Sequence, residues 1–331
     1  MLFKEIGIDM GTENTRICMK NKGIILSEPS LVSITTDETY RYNIGNDAKS
    51  LLNKVDDVVV LKPFITDFDL SVILFQGLLK KAFKHSKHFY NLVVSMPSSA
   101  SEIERRAIFE MVESVDATHI YLVPEVLLAA LGSGFNIERP RGVLVIHIGG
   151  SKAEVAVCSL GEVVAIETVR CGGEDINNAL IEFCKKKYKV QIGYRTAEKI
   201  KRNVGFAYRT LYEKDIDIKC RQIDTGVLSS LTLTSVEVRT VISDALSPII
   251  EAIKNIFQKV SADLVSDIMN GNAVLTGGTA CLYGIDKLIS QELHLEISVS
   301  ENADKAVIMG IEKMLNERLL RNDIYLKKAD Y

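Results

Sequence analysis

The chain has 331 residues, 47 % of them apolar and 25 % charged, with a formal net charge of -3. That length and balance suit a globular protein of two domains. The slight acidic surplus lacks the basic footprint of a nucleic-acid binder, and no apolar run approaches the ~20 residues that cross a bilayer. Six cysteines (Cys18, Cys158, Cys171, Cys184, Cys220 and Cys281) are scattered without a CxxC pair, which argues against zinc and a disulfide framework. They are expected to be packing thiols in a reducing compartment. No signal peptide is visible, so the expected location is the cytoplasm.

Taken in order, residues 5–19 predict a strand, a turn and a strand, and residues 24–34 continue extended. A short helix is expected over 48–53 and a buried strand over 58–61. Leu70, Ile73, Leu74 and Leu78 recur at helical spacing, which predicts an amphipathic helix over 70–83. A basic loop, 84–90, leads into a buried strand at 92–96. Ser99 and Glu102, and likewise Ser101 and Glu104, have capping-box spacing at the head of a helix over 99–115. A strand over 120–123 and a short helix over 125–131 follow, closed by Gly132. The Pro/Gly-containing run 138–142 reads as a boundary, after which the plan repeats. A hairpin, a strand over 163–169, helices over 174–188 and 196–204, a meander over 214–237 and a long helix over 237–260 are expected. A strand at 273–275 and a last helix over 303–320 complete the chain. Strands alternating with helices, organised twice, predict an α/β fold of two similar lobes with ligand at the strand ends.

Two glycine turns occupy matching places in the two halves. The first is Gly7-Ile8-Asp9-Met10-Gly11-Thr12-Glu13-Asn14, the second Val145-Ile146-His147-Ile148-Gly149-Gly150-Ser151-Lys152. Each sets an apolar strand, a polar side chain and a glycine turn before a second strand. Glycine lets backbone approach a phosphate closely, and turn amides make an anion-binding concavity. A third turn, Gly277-Gly278-Thr279, follows a buried strand where a base and ribose can rest. None of the three has the GxxxxGK[ST] pattern, which excludes a P-loop NTPase.

The segments Gly7–Thr15, Gly45–Lys49, Met96–Ala107, Ile120–Gly134, Ile148–Val164, Arg195–Gly205 and Asp267–Gly278 resemble, in order and over nearly the whole chain, the MreB family of bacterial actins. The resemblance implies an actin-like, duplicated ribonuclease H-like ATPase fold. Lobe I would span 1–141 with a small subdomain near 30–66, and lobe II 142–331 with one near 180–240. The nucleotide would lie in the cleft between lobes. It implies membrane-associated filaments that serve cell shape or wall organisation. Implied partners are further copies of the chain, MreB paralogues, the inner membrane face and wall-synthesis proteins. ATP or ADP and magnesium are the implied cofactors.

Carried over by residue, Gly11, Thr12, Glu13, Asn14, Gly149, Gly150, Ser151 and Lys152 would meet the phosphates. Glu198 and Lys201, three apart on one helix face, would contact the nucleoside, and Gly277, Gly278, Thr279 and Ala280 the adenine. Asp9 would hold magnesium through water. Glu125 would orient the attacking water, with Asp67 nearby. Phe89 and Tyr90 would face lipid, beside Lys80, Lys81, Lys84 and Lys87.

The departures from the family pattern bear on mechanism. His147 stands where the second hairpin has an aspartate, and Ser151-Lys152 where it has Gly-Thr. Glu13 replaces a small residue, Pro124 and Val126 flank Glu125 where Glu and Pro are usual, and a short segment between Pro63 and Asp67 is missing. Losing an acid beside magnesium and gaining a lysine predicts a cleft in which Lys152 and His147 neutralise phosphate, Glu13 opposes it, and hydrolysis is much slowed, since phosphoryl transfer depends on positioning and metal electrostatics. The alternatives are a fully active ATPase of the same family, a non-polymerising regulator of another filament, and a small-molecule kinase with Asp67 as base.

Overall fold

The computed structural model describes residues 4–35, 41–51, 58–62, 67–84 and 88–317. The chain forms two compact units: 1–139 with 160–162 and 305–331, and 140–159 with 163–304. The first break falls beside the expected 141/142 boundary. The C-terminal residues differ from expectation, because they join the first unit rather than the second.

The first unit contains β1 (Glu5–Met10), β2 (Asn14–Met19), β3 (Gly23–Pro29), β4 (Val32–Thr35), β5 (Tyr42–Ile44), α1 (Asn46–Leu51), β6 (Val58–Leu61), α2 (Phe68–Phe83), β7 (His88–Met96), α3 (Glu102–Glu113), β8 (Asp116–Pro124) and α4 (Glu125–Gly132). Its main sheet has the order β3-β2-β1-β7-β8, with β1 antiparallel to β2 and parallel to β7. A small sheet, β5-β4-β6, lies within the stretch expected to form a small subdomain. The second unit contains β9 (Val143–Ile148), β10 (Ala153–Ser159), β11 (Glu162–Val169), α5 (Gly173–Tyr188), β12 (Val190–Gln191), α6 (Tyr194–Val204), β13 (Asp215–Gln222), β14 (Leu228–Thr234), α7 (Ser235–Phe257), α8 (Ala262–Met269), β15 (Ala273–Thr276), α9 (Ile285–Leu293) and β16 (Ser298–Val299). Its main sheet repeats the plan as β11-β10-β9-β15-β16, and β12-β13-β14 forms its small sheet. The last helix, α10 (Ala306–Asn316), belongs to the first unit.

Local chemistry explains the element ends. Ser101, not Ser99, caps α3: its hydroxyl accepts from the Glu104 amide while the Glu104 carboxylate accepts from the Ser101 amide. Thr234 and Glu237 do the same for α7, which therefore starts before residue 237. Asp67 accepts from the Leu70 amide and caps α2. The expected buried strand at 58–61 is half open, with Val59 46 % and Leu61 38 % exposed, because it is an edge of the small sheet. The ends of the helices expected at 48–53 and 303–320 and the tail 318–331 lie outside the described residues, as does the segment 63–66. Five cysteines are buried and Cys281 is exposed. Among the described residues no helix is long and apolar enough to cross a membrane.

The first core joins Ile6, Ile8 and Ile17 of the hairpin to Leu74, Phe75 and Leu78 of α2 and Leu92 and Val94 of β7. On the other face of β1, α10 comes so close that a Cβ on Gly7 would stand 2.0 Å from Ile311 Cγ2. α10 also meets α4 backbone to backbone: a Cβ on Gly310 would lie 1.9 Å from the Leu128 carbonyl, and one on Gly132 1.9 Å from the Ala306 carbonyl. These contacts draw the last helix back to the first unit. Gly310→Ala is expected to lower unfolding free energy by roughly 2–3 kcal/mol through overpacking, whereas Gly193→Ala, which meets nothing within 4 Å, should cost under ~1 kcal/mol. Urea denaturation of both variants measures this, and equal small losses would contradict the close helix contact.

Candidate nucleotide site

In each unit the glycine turn is closed in the same way. Gly11 N donates to Asn14 O at 3.1 Å, and Gly149 N donates to Lys152 O at 2.9 Å. Behind each turn a row of polar side chains crosses the three central strands. The register makes them neighbours, since residues paired across strands face the same way.

In the first unit the row is Arg16, Asp9 and Ser95, on β2, β1 and β7. Arg16 is the register partner of Asp9, with Nη1 3.7 Å from Oδ2. Ser95 Oγ donates to Asp9 Oδ1 at 3.1 Å and accepts from Met10 N at 3.3 Å. Burial pushes the Asp9 carboxyl up to about 6, against the opposing pull of Arg16 and Ser95. Ser30 braces the turn, donating from Oγ to Gly11 O at 2.6 Å and from its amide to Glu13 O at 3.0 Å. Glu13 is ion-paired with Lys62, so its charge is offset within its own unit rather than directed only at phosphate. Glu125 is buried as the first residue of α4, where Ser98 Oγ accepts from the Val126 amide at 3.0 Å. Asp67 is exposed, and one carboxylate oxygen is committed to capping α2.

In the second unit the row is Glu154, His147 and Thr276, on β10, β9 and β15. Thr276 Oγ1 and His147 Nδ1 share a 3.0 Å hydrogen bond. Glu154 is fully buried and paired with Lys152, Nζ to Oε1 2.8 Å. Burial lowers the His147 pKa to about 4, despite the Glu154 carboxylate facing it. The ring is therefore neutral near pH 7, and of the two groups expected to face phosphate only Lys152 carries a positive charge. The expected Lys152 charge is present, but a buried carboxylate offsets it.

The second-unit site residues form one connected network. Gly149 O accepts from Thr279 Oγ1 at 2.8 Å and from Gly173 N at 3.1 Å, and Gly150 O accepts from Glu174 N at 2.8 Å. A Cβ on Gly172 would lie 2.4 Å from Gly150 O, so the head of α5 needs glycine there. Lys201 Nζ donates to Gly173 O at 2.8 Å and pairs with Glu198 at 2.7 Å. Burial raises the Glu198 pKa, but donors from Lys201, Asn177 and Arg202 outweigh it and hold it at about 2. Gly277 turns with φ +92°, and a Cβ there would strike Ile148 O at 2.2 Å. A Cβ on Gly278 would meet nothing within 4 Å, which leaves an open face beside Thr279 and Ala280. Gly11 and Thr12 lie in the first turn and Asn14 opens β2, while Gly150 and Ser151 lie in the second turn.

A magnesium ion fits the two turns unequally. Asp9 offers a carboxylate whose charge a cation would stabilise. The second turn offers a neutral imidazole and an already paired glutamate, so it does not supply the acid that would hold the ion's water shell. Among the described residues no group of three or more His, Cys, Asp or Glu could hold a metal directly.

For Phe89 the expected lipid contact is corrected. Phe89 is 3 % exposed and packs edge-on against Phe83, ring centroids 5.2 Å apart. It is a core residue of β7. Lys81 is paired with Glu28 and Asp47. The Tyr90 side chain and residues 85–87, Lys87 among them, lie outside the described residues. Residues that sequence reasoning missed are Arg16, Ser30, Ser95, Glu154, Gly172, Gly173 and Asn177. Of these, Glu154 carried a signal, since it is two residues after Lys152 on a strand and therefore on the same face.

A neutral, partly buried histidine leaves a pH signature. The unfolded ring binds a proton below about 6.5 and the folded one only below about 4, so stability is intact at pH 7 and falls as the pH drops through this window. Relative to His147→Asn, the wild type is expected to lose ~2–3 kcal/mol between pH 7 and pH 4.5, measured by urea unfolding. A difference independent of pH would contradict the neutral ring.

The MreB/Mbl protein family profile matches residues 3–322. The chain is 31 % identical to the cell shape-determining protein Mbl of Bacillus cereus over 323 residues, covering 95 % of this chain and 96 % of that one. It is 33 % identical to the cell shape-determining protein MreB of Escherichia coli over 328 residues, covering 95 % and 94 %. Among solved structures, MreB 5 of Spiroplasma citri bound to AMPPNP matches with a TM-score of 0.91 and 25 % identity over 98 % of both chains. The fold is therefore that of the actin-like ATPases, and the chain belongs to the MreB/Mbl family.

Proposed function

We propose that this protein is a filament-forming bacterial actin that binds ATP or ADP, hydrolyses ATP slowly, and helps to set cell shape. The observation that carries the nucleotide part is the second-unit network joining Gly149, Gly150, Thr279, Lys201 and Glu198 around the glycine turn. The Spiroplasma relative of the same family was solved with AMPPNP and with ADP, which supports the same ligand class here. Slow turnover follows from the second row. With His147 neutral and Lys152 offset by Glu154, no carboxylate on this turn is available to organise a metal at the phosphates. Magnesium, where bound, would rely on Asp9, and Glu125 would orient water. Electrostatic preorganisation is usually the largest catalytic contribution, so losing one such group costs on the order of 10²-fold in rate.

Self-association, a cytoplasmic location at the inner membrane face, and contact with paralogues or wall-synthesis proteins are part of the same proposal. Self-association is supported by membership of the MreB/Mbl family; the location and the other contacts rest on the sequence resemblance alone. Membrane contact is not assigned to Phe89.

Phosphate release measured with ATP at polymerising concentration, beside sedimentation with ATP, ADP and no nucleotide, tests the reading. Pelleting with phosphate release ~10²-fold below that of a family member carrying aspartate in place of His147 is expected. Release at an equal rate would contradict slow hydrolysis, and no pelleting under any condition would contradict filament formation.

A further inference from the structure

We propose that the second-unit turn receives the nucleotide phosphates with a built-in cation, the Lys152 ammonium braced by Glu154, so that nucleotide affinity does not depend on a divalent metal. The inference rests on the nucleotide reading above and names the counter-ion of that site.

Four side chains share one face of the sheet. Lys152 and Glu154 are two apart on the strand side of the turn, Glu154 pairs in register with His147, and His147 with Thr276. Several acceptors beside this face already have donors: Glu154 Oε1 serves Lys152, Gly149 O takes Thr279 and Gly173, and Gly150 O takes Glu174. A hydrated metal ion needs acceptors, and these are engaged by protein.

The lysine is fixed for a physical reason. Glu154 is 0 % exposed, and a buried carboxylate stripped of its partner is strongly unfavourable. Glu154 thus holds the ammonium at the turn instead of letting it drift into solvent. An ammonium has three N–H donors and can serve a carboxylate and a phosphate together. With an aspartate at position 147, this face would carry a second acid opposite Glu154 and would require an added cation to accept polyphosphate. With a neutral imidazole it does not.

Isothermal titration of the full chain with ATP and with ADP, in magnesium and in EDTA, tests this by binding alone. The wild type is expected to bind with affinities within about threefold in the two media. Lys152→Gln should lose about tenfold or more in EDTA and recover part of it with magnesium. His147→Asp should make binding magnesium-dependent by a similar factor. Thermal melts confirm that each variant is folded. Wild-type binding in magnesium that falls more than about tenfold in EDTA overturns the inference and leaves the nucleotide reading standing. No wild-type binding in either medium overturns the nucleotide reading itself.

Discussion

The candidate site depends on a polar row laid across the three central strands of each main sheet, directly behind a glycine turn. Hydrophobic strands hold these rows in place: the residues before and after Asp9 and His147 are buried isoleucines and a methionine. A polar side chain at such a position must find partners on the adjacent strands, because an unpaired buried group is expensive. Arg16 and Ser95 serve Asp9, and Thr276 serves His147 with Glu154 facing it. The turn that follows is shaped by the same constraint, because the strand pairing that aligns the row also sets where the chain must reverse.

The two rows differ in sign. In the first, an acid lies between a cation and a hydroxyl. In the second, a neutral ring lies between an acid and a hydroxyl, and the cation has moved to the turn as Lys152. Glu154 faces an uncharged ring, and Lys152 is the group that offsets its charge, so this face stays near neutrality. On the proposed function, such a face receives phosphate but lacks the means to place a metal for its transfer.

Much of the fold was legible because its signals are local. The capping spacing of Ser101 and Glu104, the helical period of α2 and the repeated strand–glycine–strand pattern each lie within a few residues. What escaped was long-range. The bond between His147 and Thr276 spans 129 residues and depends on parallel register between β9 and β15. The return of α10 to the first unit follows from Gly7, Gly132 and Gly310, whose roles appear only when the backbones meet. Phe89 illustrates a different failure: an aromatic pair beside a basic loop fits a lipid contact, but Phe89 lies within β7 and its ring packs against Phe83. The resemblance named candidate site residues, yet it could not show that Lys152 and Glu13 each meet an opposite charge inside their own unit.

The central claim is that the second row is built around an uncharged imidazole. The most direct measurement is the NMR titration of the His147 ring in 13C-labelled protein, assigned by comparison with His147→Asn. The account predicts a ring that stays neutral from pH 8 down to about 5, with its resonance shifting only as the pH approaches about 4. A ring that takes up its proton near the ordinary value of about 6.5 would mean that the turn carries a second positive charge, and the neutral-face account would be wrong.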